Sequence, residues 1–419
     1  MRILITGINY APEATGIAPY TAGLAEHLSA RGHQVTVVTG LPSYPQWRVH
    51  DGYRGRIAGR ETLAGVDVRR RWHYVPREQS AGRRALYEAS FLATGLSALA
   101  LSRPDAVVGI VPSLGGGLLA RLAGARFAAP YGLVFQDLMG PAAAQSGVTG
   151  ASRAARAIRA AEVFAARRAE AVGVIAEGFR PYVQSLGVAP ERIRRVRNWT
   201  HVPEPTGDPA DVRARLGIEP GTVVCLHAGN MGYKQGLANV VECARLAGAG
   251  ADPDLLFVLV GDGSQRPLLE DLAARRRLAN LRFLPIQPAE QFPSVLAAAD
   301  VLLVNQRATV TDMSLPGKLT SYFLAGRPVL AAVSPASETA REVDASGAGL
   351  VVRPDDPAAL LAAVRDLAAD PARRRRLGAA GRAYARATLT AGQALAGLEA
   401  LVELIAARAG TARAVAVSP

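Results

Sequence analysis

The chain has 419 residues, 49% of them hydrophobic, more than one hydrophobic core usually serves, so two domains are expected. It holds only two cysteines, Cys225 and Cys243, both in apolar runs, which excludes a disulfide framework and points to packed thiols in a reducing compartment. The net charge is +13, and residues 1–200 carry 25 Arg, no Lys and 13 acidic residues, a balance of +12. Such a half can face anionic lipid, an anionic acceptor or nucleic acid, or simply solubilise its helices with arginine.

Met1 to Gly7 carries charge at Arg2, lacks a long apolar core and leads into a strand, so no signal peptide is expected. Apolar runs of strand length then alternate with Ala-rich amphipathic runs, the pattern of βαβ units around a parallel sheet. In the first half strands are expected at Arg2 to Thr6, Gln34 to Thr39, Val66 to Arg70, Ala106 to Val111, Gly132 to Phe135, Ala171 to Ile175 and Ile193 to Val196. A helix from Pro19 to Arg31 ends at Gly32, a suitable C′ glycine. Ala85 to Ser102 is interrupted by Glu88 and is a poor spanning helix, yet with Arg83 and Arg84 it forms an amphipathic stretch able to touch a bilayer.

Residues 198–213 read NWTHVPEPTGDPADVR, proline-rich and without periodicity, as a linker does. Strands resume at Thr222 to His227, Leu255 to Gly261, Leu281 to Pro285, Val301 to Asn305, Val329 to Val333 and Gly349 to Val352. The amphipathic run Thr390 to Arg408 predicts a last helix, with a frayed end after it. The expected domains are 1–200, a linker at 201–213, a second domain at 214–390, and a helix and tail at 391–419 whose helix can pack back on the first domain. This α/β arrangement of two Rossmann-like domains with parallel sheets facing a central cleft places ligands beyond the carboxyl ends of the strands.

Lysine is the sharpest compositional clue. Among 48 basic residues only Lys234, in GNMGYKQG, and Lys318, in SLPGKLTSY, are lysines. Both lie in glycine-bearing loops after expected strands, where a helix begins and unpaired N–H groups favour phosphate. A compact ammonium reaches phosphate oxygens where a planar guanidinium does not fit; the plainer alternative is chance survival on a surface. The first loop, GINYAPEATGIAPY, carries Gly16 before its helix but does not match G-x-G-x-x-G, which disfavours a dinucleotide oxidoreductase. Gly261 and Gly263, in GDGSQRPLLE, read as turn geometry. Acid or base candidates are Glu13, His73 and Asp137, the last ending a strand in VFQDLMG; a turn-capping role is the commoner use of such an aspartate. No zinc spacing and no G-x-S-x-G elbow occur. Aromatic residues make up 5% with no basic stripe interleaved, so nucleic acid is not an expected partner.

The opening ILITGINYAPEATGIAPYTAGLAEHLSARGHQVTVVTGLPSYPQW, with GYRG, VPR, RNW, AGNMGYKQGL, VLVGDG and SLPGKLTSYFLAGRPVLAAVSPASETARE, resembles the retaining GT-B glycosyltransferases of family 4. Within it the similarity is to the branch of colanic-acid and O-antigen fucosyl- and N-acetylfucosaminyl-transferases, and it runs from Met1 to about Leu377. The resemblance implies a UDP- or GDP-sugar bound mainly by the C-terminal domain, an acceptor mainly on the N-terminal one, no metal and no other cofactor. It places Gly16 near the diphosphate and sugar, and Asn230, Lys234 and Gln235 on the diphosphate. Backbone at Leu284 and Ile286 would edge the base, and Ser314, Leu315 and Gly317 would offer amides to sugar and phosphate beside Lys318. Ser321 would meet the ribose, and Glu338 completes the implied donor set. Two departures stand out: Met313 and Ser321 replace a pair of glutamates, and Gln136 replaces a histidine before Asp137. Gln136 can hydrogen-bond a sugar hydroxyl but carries no charge.

The implied reaction is front-face transfer with retention, in which Lys234, Lys318 and the helix-end amides stabilise the leaving diphosphate and Asp137, Gln136 or Glu13 assists at the acceptor. Closure about the Pro203 to Pro209 linker is expected with donor binding. The acceptor is a lipid-linked saccharide or a small natural product or thiol, in the cytoplasm, with an anionic membrane surface as an open further partner. The alternative is a sugar-nucleotide 2-epimerase, whose acid and base carboxylates are not evident.

Overall fold

Continuous runs of Val, Ile, Leu and Ala bury both faces of a strand and so need helices on each side of the sheet. The computed structural model, which describes residues 1–78, 80–144, 151–249, 254–310 and 316–416, has this layering in each of two units. Unit 1 comprises Met1–Asn198 and Gly392–Pro419; unit 2 is Trp199–Ala391.

In unit 1 the order is β1 (Arg2–Thr6), α1 (Ala18–Ala30), β2 (Gln34–Gly40), β3 (Ala58–Leu63), β4 (Val66–Arg71), α2 (Ala81–Ser97), β5 (Ala106–Val111) and α3 (Leu114–Phe127). There follow β6 (Tyr131–Phe135), α4 (Met139–Ala144), α5 (Ala151–Ala166), β7 (Ala171–Val174), α6 (Arg180–Ser185) and β8 (Ile193–Arg195). Among the described residues the sheet has eight strands ordered β3-β4-β2-β1-β5-β6-β7-β8. All pairs are parallel except β3 with β4, where Leu63 faces Val66 across a two-residue turn. Ala64 and Gly65 both have positive φ there, as a type I′ hairpin needs.

Unit 2 continues with α7 (Pro209–Arg215), β9 (Val223–Ala228), α8 (Ala238–Gly248), β10 (Leu255–Val260), α9 (Arg266–Arg275), β11 (Leu281–Leu284), α10 (Phe292–Ala297) and β12 (Val301–Asn305). Its remaining elements are α11 (Lys318–Ala325), β13 (Val329–Ala332), α12 (Glu338–Ser346), β14 (Gly349–Val352), α13 (Pro357–Ala369) and α14 (Pro371–Thr388). The strands run β11-β10-β9-β12-β13-β14, all parallel, so the order reverses between β9 and β12. Alternate β9 residues feed opposite layers. Val224 and Leu226 join Leu319, Tyr322 and Val343 of α11 and α12, whereas Val223 and Cys225 join Val240, Ala244 and Val364 of α8 and α13.

The last helix, α15 (Ala391–Ala416), returns to unit 1. It lies over two strand glycines: a Cβ at Gly132 would meet Ile405 Cδ1 at 2.3 Å, and one at Gly173 would meet Leu401 Cδ2 at 2.8 Å. Glu399 fastens it to α1 by bonds to His27 Nε2 at 2.8 Å and Arg31 Nε at 3.1 Å. The run Pro371–Ala407 is long and apolar enough, by length and composition, to cross a bilayer. Its residues Ala385, Leu398, Leu401, Val402 and Ile405 are nonetheless buried in the two units.

Candidate active site

In unit 2 the carboxyl ends of β9 and β12, where the strand order reverses, gather the polar residues. Lys318 opens α11 with its Nζ 3.2 Å from His227 Nε2, on the last turn of β9 before Ala228. The ammonium also lies 3.4 Å from where a Cβ on Gly229 would stand. Lys318 as a residue is half-buried, yet its amino end rests against a histidine with no exposure, so desolvation acts on the charge. Burial lowers the Lys318 pKa to about 7. Burial first, and the lysine charge second, hold the His227 imidazole well below its usual range, so the ring is neutral. A neutral ring accepting at Nε2 from the ammonium carries its proton on Nδ1. Among the described residues no carboxylate pairs with either group. A lysine amine against a neutral imidazole, with no carboxylate partner among the described residues, forms a site for an anion.

The start of α11 adds to this. Gly317 is its N-cap, no side chain caps the helix, and the positive end of its dipole is available to an anion. Ser321, one turn in, donates Oγ to Lys318 O at 2.9 Å. Ser314 and Leu315, like Met313, lie outside the described residues.

The loop after β9 is fixed by asparagines. Asn305, the last residue of β12, donates Nδ2 to Gln235 O at 2.6 Å and to Gly236 O at 3.0 Å, and accepts from Asn239 Nδ2 at 2.8 Å. Gln235 Oε1 accepts from Gly232 N at 3.1 Å, closing the loop on itself. Asn230 and Lys234 are exposed in this loop. Lys234 O accepts from Arg307 N at 3.0 Å, and Arg307 stacks 4.3 Å above the Tyr233 ring. The next turn packs tightly against it: a Cβ at Gly261 would meet Gly229 O at 2.0 Å, and one at Gly263 would meet Asn230 Oδ1 at 2.5 Å, both glycines having positive φ.

Two donor-set residues are engaged elsewhere. Leu284 O accepts from Gly261 N at 3.1 Å and Arg266 Nη1 at 3.2 Å, so its carbonyl is spoken for, while Ile286 beyond it is 63% exposed. Glu338 opens α12 beside the N-cap Ser337, and its buried carboxylate pairs with Arg341.

In unit 1 the strand order reverses between β1 and β5, and the loop after β1 holds Glu13 and Gly16. Glu13 is buried and accepts from Ser43 N at 2.7 Å, Tyr44 N at 2.8 Å and Asn9 Nδ2 at 2.9 Å. Burial raises its pKa against the opposing pull of these bonds. Both oxygens are therefore used in tying the β1 loop to the β2 loop, and Glu13 positions backbone. Gly16 has φ +70 and its missing Cβ would meet Tyr44 Cε1 at 2.9 Å. Gln136 follows β6, buried, with Oε1 accepting from Asn198 Nδ2 at 2.7 Å, which leaves its own amide nitrogen as the group able to donate. Asp137 is half-buried and close enough to Tyr44 to raise that phenol's pKa, after burial as the larger cause. Below it, Glu162 accepts from Tyr182 Oη at 2.5 Å and Met139 N at 3.3 Å and holds the start of α4.

Thus Lys318, Gly317, Ser321, Asn230, Lys234 and Gln235 share the carboxyl-end face of unit 2, and Glu13, Gly16, Gln136 and Asp137 that of unit 1. Sequence reasoning did not single out His227, Asn305 or Asn198. Only Asn198 had a visible signal, the RNW triplet. No three His, Cys, Asp or Glu side chains converge as metal ligands among the described residues.

Comparison with known proteins gives residues 15–199 as a match to the Glycosyl transferase 4-like domain and residues 209–384 as a match to Glycosyl transferases group 1. The chain is 33% identical over 381 residues to WcaI of Escherichia coli (strain K12), named as a glycosyl transferase of colanic acid biosynthesis, covering 87% of this chain and 91% of that one. In structure it is similar to sucrose-phosphate synthase from Thermosynechococcus elongatus, with TM-score 0.78, 20% identity and coverage of 97% and 100%. It is also similar to Anabaena HepE in complex with UDP-glucose, with TM-score 0.68, 16% identity and coverage of 98% and 100%.

Proposed function

Because the chain belongs to the family 4, group 1 glycosyltransferases and has their GT-B fold, we propose that it transfers a sugar, with retention, from a UDP- or GDP-sugar to a saccharide acceptor. The observation that carries this reading is the Lys318–His227 contact, an amine against a neutral imidazole with no carboxylate partner among the described residues, at the start of an uncapped helix. Unit 2 takes the nucleotide diphosphate there. The UDP-glucose in the HepE structure supports a nucleotide sugar as the donor.

In the proposed step the bond between the sugar's anomeric carbon and the diphosphate oxygen breaks, and its electron pair stays on the phosphate. Lys318 and the amides at Gly317 and Lys318 offset the charge that develops. The acceptor hydroxyl attacks from the face the phosphate leaves, so configuration is kept, and the departing phosphate oxygen takes the hydroxyl proton. Gln136 holds a sugar hydroxyl through its amide nitrogen, Asp137 assists at the acceptor, and Glu13 keeps the loop bearing Gly16 in place. An ammonium and helix amides supply the positive charge, so transfer is metal-independent in this proposal. Two buried free thiols, Cys225 and Cys243, support a cytoplasmic location.

Isothermal titration with UDP, GDP and dTDP tests the donor side. One nucleotide should bind clearly, and Lys318→Ala should weaken it at least about ten-fold while the melting temperature without nucleotide does not fall, since a buried amine is removed. Wild-type affinity in the folded variant would remove the main support for the assignment.

A further inference from the structure

We propose that Arg84, laid across the rings of Trp47 and Tyr87, binds a carboxylate or phosphate on the saccharide acceptor and so makes unit 1 selective for acidic acceptors. The inference rests on the glycosyltransfer reading above and names its acceptor class. The Arg84 guanidinium carbon stands 4.7 Å from the Trp47 ring centroid and 5.0 Å from that of Tyr87. Trp47 is half-buried, 5.5 Å from Tyr87 and edge-on to Tyr44 at 6.0 Å. Its backbone has φ 51, a left-handed conformation that a bulky side chain rarely adopts and that surrounding structure must hold. Strain of this kind, spent on presenting an indole beside a guanidinium, marks a built surface, and an aromatic face is a platform for the apolar face of a sugar ring.

Arg84 has five N–H donors and, among the described residues, no hydrogen-bond or ion-pair partner for its side chain. Two carboxylates of the same neighbourhood, Glu88 and Glu13, are already engaged. Glu88 Oε2 accepts from Ser113 Oγ at 3.1 Å and Gly115 N at 3.0 Å, and the oxygens of Glu13 serve Ser43, Tyr44 and Asn9. The Arg84 charge does ease the burial of Glu88, but that effect acts at a distance and leaves every donor of the fork unspent. A planar guanidinium held on two rings keeps its in-plane donors for a planar or tetrahedral oxyanion, which it grips at two points. Tyr44 joins the platform to the candidate reaction residues, since its ring packs on Gly16 and feels the charge of Asp137. The balance of +12 over residues 1–200 favours approach of an acidic molecule to the same unit.

The test is isothermal titration of the full chain, saturated with the nucleotide it selects, using two matched pairs at equal ionic strength: methyl glucuronide with methyl glucoside, and glucose 6-phosphate with glucose. At least one acidic member should bind about ten-fold or more tightly than its neutral partner, the pair that responds telling carboxylate from phosphate. Arg84→Gln should abolish that preference while leaving neutral-sugar binding as it was, Arg84→Lys should restore part of it, and Trp47→Leu should weaken all four probes. Equal or absent binding of the acidic members, or a preference that survives in Arg84→Gln, overturns the proposal. Nucleotide affinity of Arg84→Gln should match wild type; failure of the wild type to bind any nucleotide would instead count against the glycosyltransfer reading.

Discussion

Burial brings the Lys318 pKa down to about 7, and a charge that can be lost near neutrality makes its partner's identity measurable. In the free protein burial sets its pKa at about 7, so the ammonium is progressively lost above neutrality, while His227 stays neutral throughout. A diphosphate beside the nitrogen favours the charged form and raises that pKa. Binding therefore takes up a proton: affinity is full below the free-state value and falls as pH rises through about 7 toward the higher bound-state value. The loss approaches about ten-fold per pH unit between those limits. The terminal phosphate, with a pKa near ~6, is already ionised there and does not confuse the slope. Titrations with UDP or GDP from about pH 7 to about pH 9, in buffers of different ionisation enthalpy, read both the slope and the proton. Affinity that stays level across that window, or an equal slope in Lys318→Ala, would show that the amine does not meet the phosphate. Lys318 was legible because lysine is so rare in this chain, and Gln136 and Asp137 because they end an apolar strand. His227 was not, since it lies 91 residues from Lys318 and its contact exists only once β9 and α11 meet.

At the scale of elements, the expected strands appear at nearly their expected limits, because a parallel strand buried on both faces is written as an unbroken apolar run. The strand that was missed, β3, has no fully buried residue and reads AGRETL; its place at the sheet edge rewards charge instead of apolarity, so hydropathy does not mark it. The docking of α15 was open from sequence as a helix able to pack back, but what receives it was not. Gly132 and Gly173 looked like ordinary strand glycines, yet each stands where a leucine or isoleucine of α15 lies. Gly132→Val puts branched carbons into the space of Ile405 and against Ala171 O of β7, and overpacking of this kind costs about 1–3 kcal/mol. Hydrogen exchange in the Leu398–Ile405 stretch of α15 should accelerate in that variant while exchange in the unit 2 strands stays as in wild type. Unchanged exchange along α15 would mean the helix is not held by this contact.

The chain passes between its units at two places, near residues 198–199 and 391–392, and each unit has its own sheet. The helical residues of unit 2 bury two layers of apolar side chains against β9–β14, so its core does not draw on unit 1 for closure. A ligand that binds one folded unit stabilises that unit by mass action, and only that unit to the extent that the two unfold independently. If the nucleotide sits on the Lys318 face, saturating it at about one hundred times its dissociation constant should slow exchange through unit 2 unfolding by roughly a hundred-fold. The amides to follow are those of Cys225, Leu226, Val258 and Leu303, central in β9, β10 and β12. Those of Leu4, Val108 and Leu133, central in β1, β5 and β6, should shift by less than about two-fold. Protection confined to the unit 1 strands would place the nucleotide on the other sheet, and equal protection of both would show that the two units unfold as one.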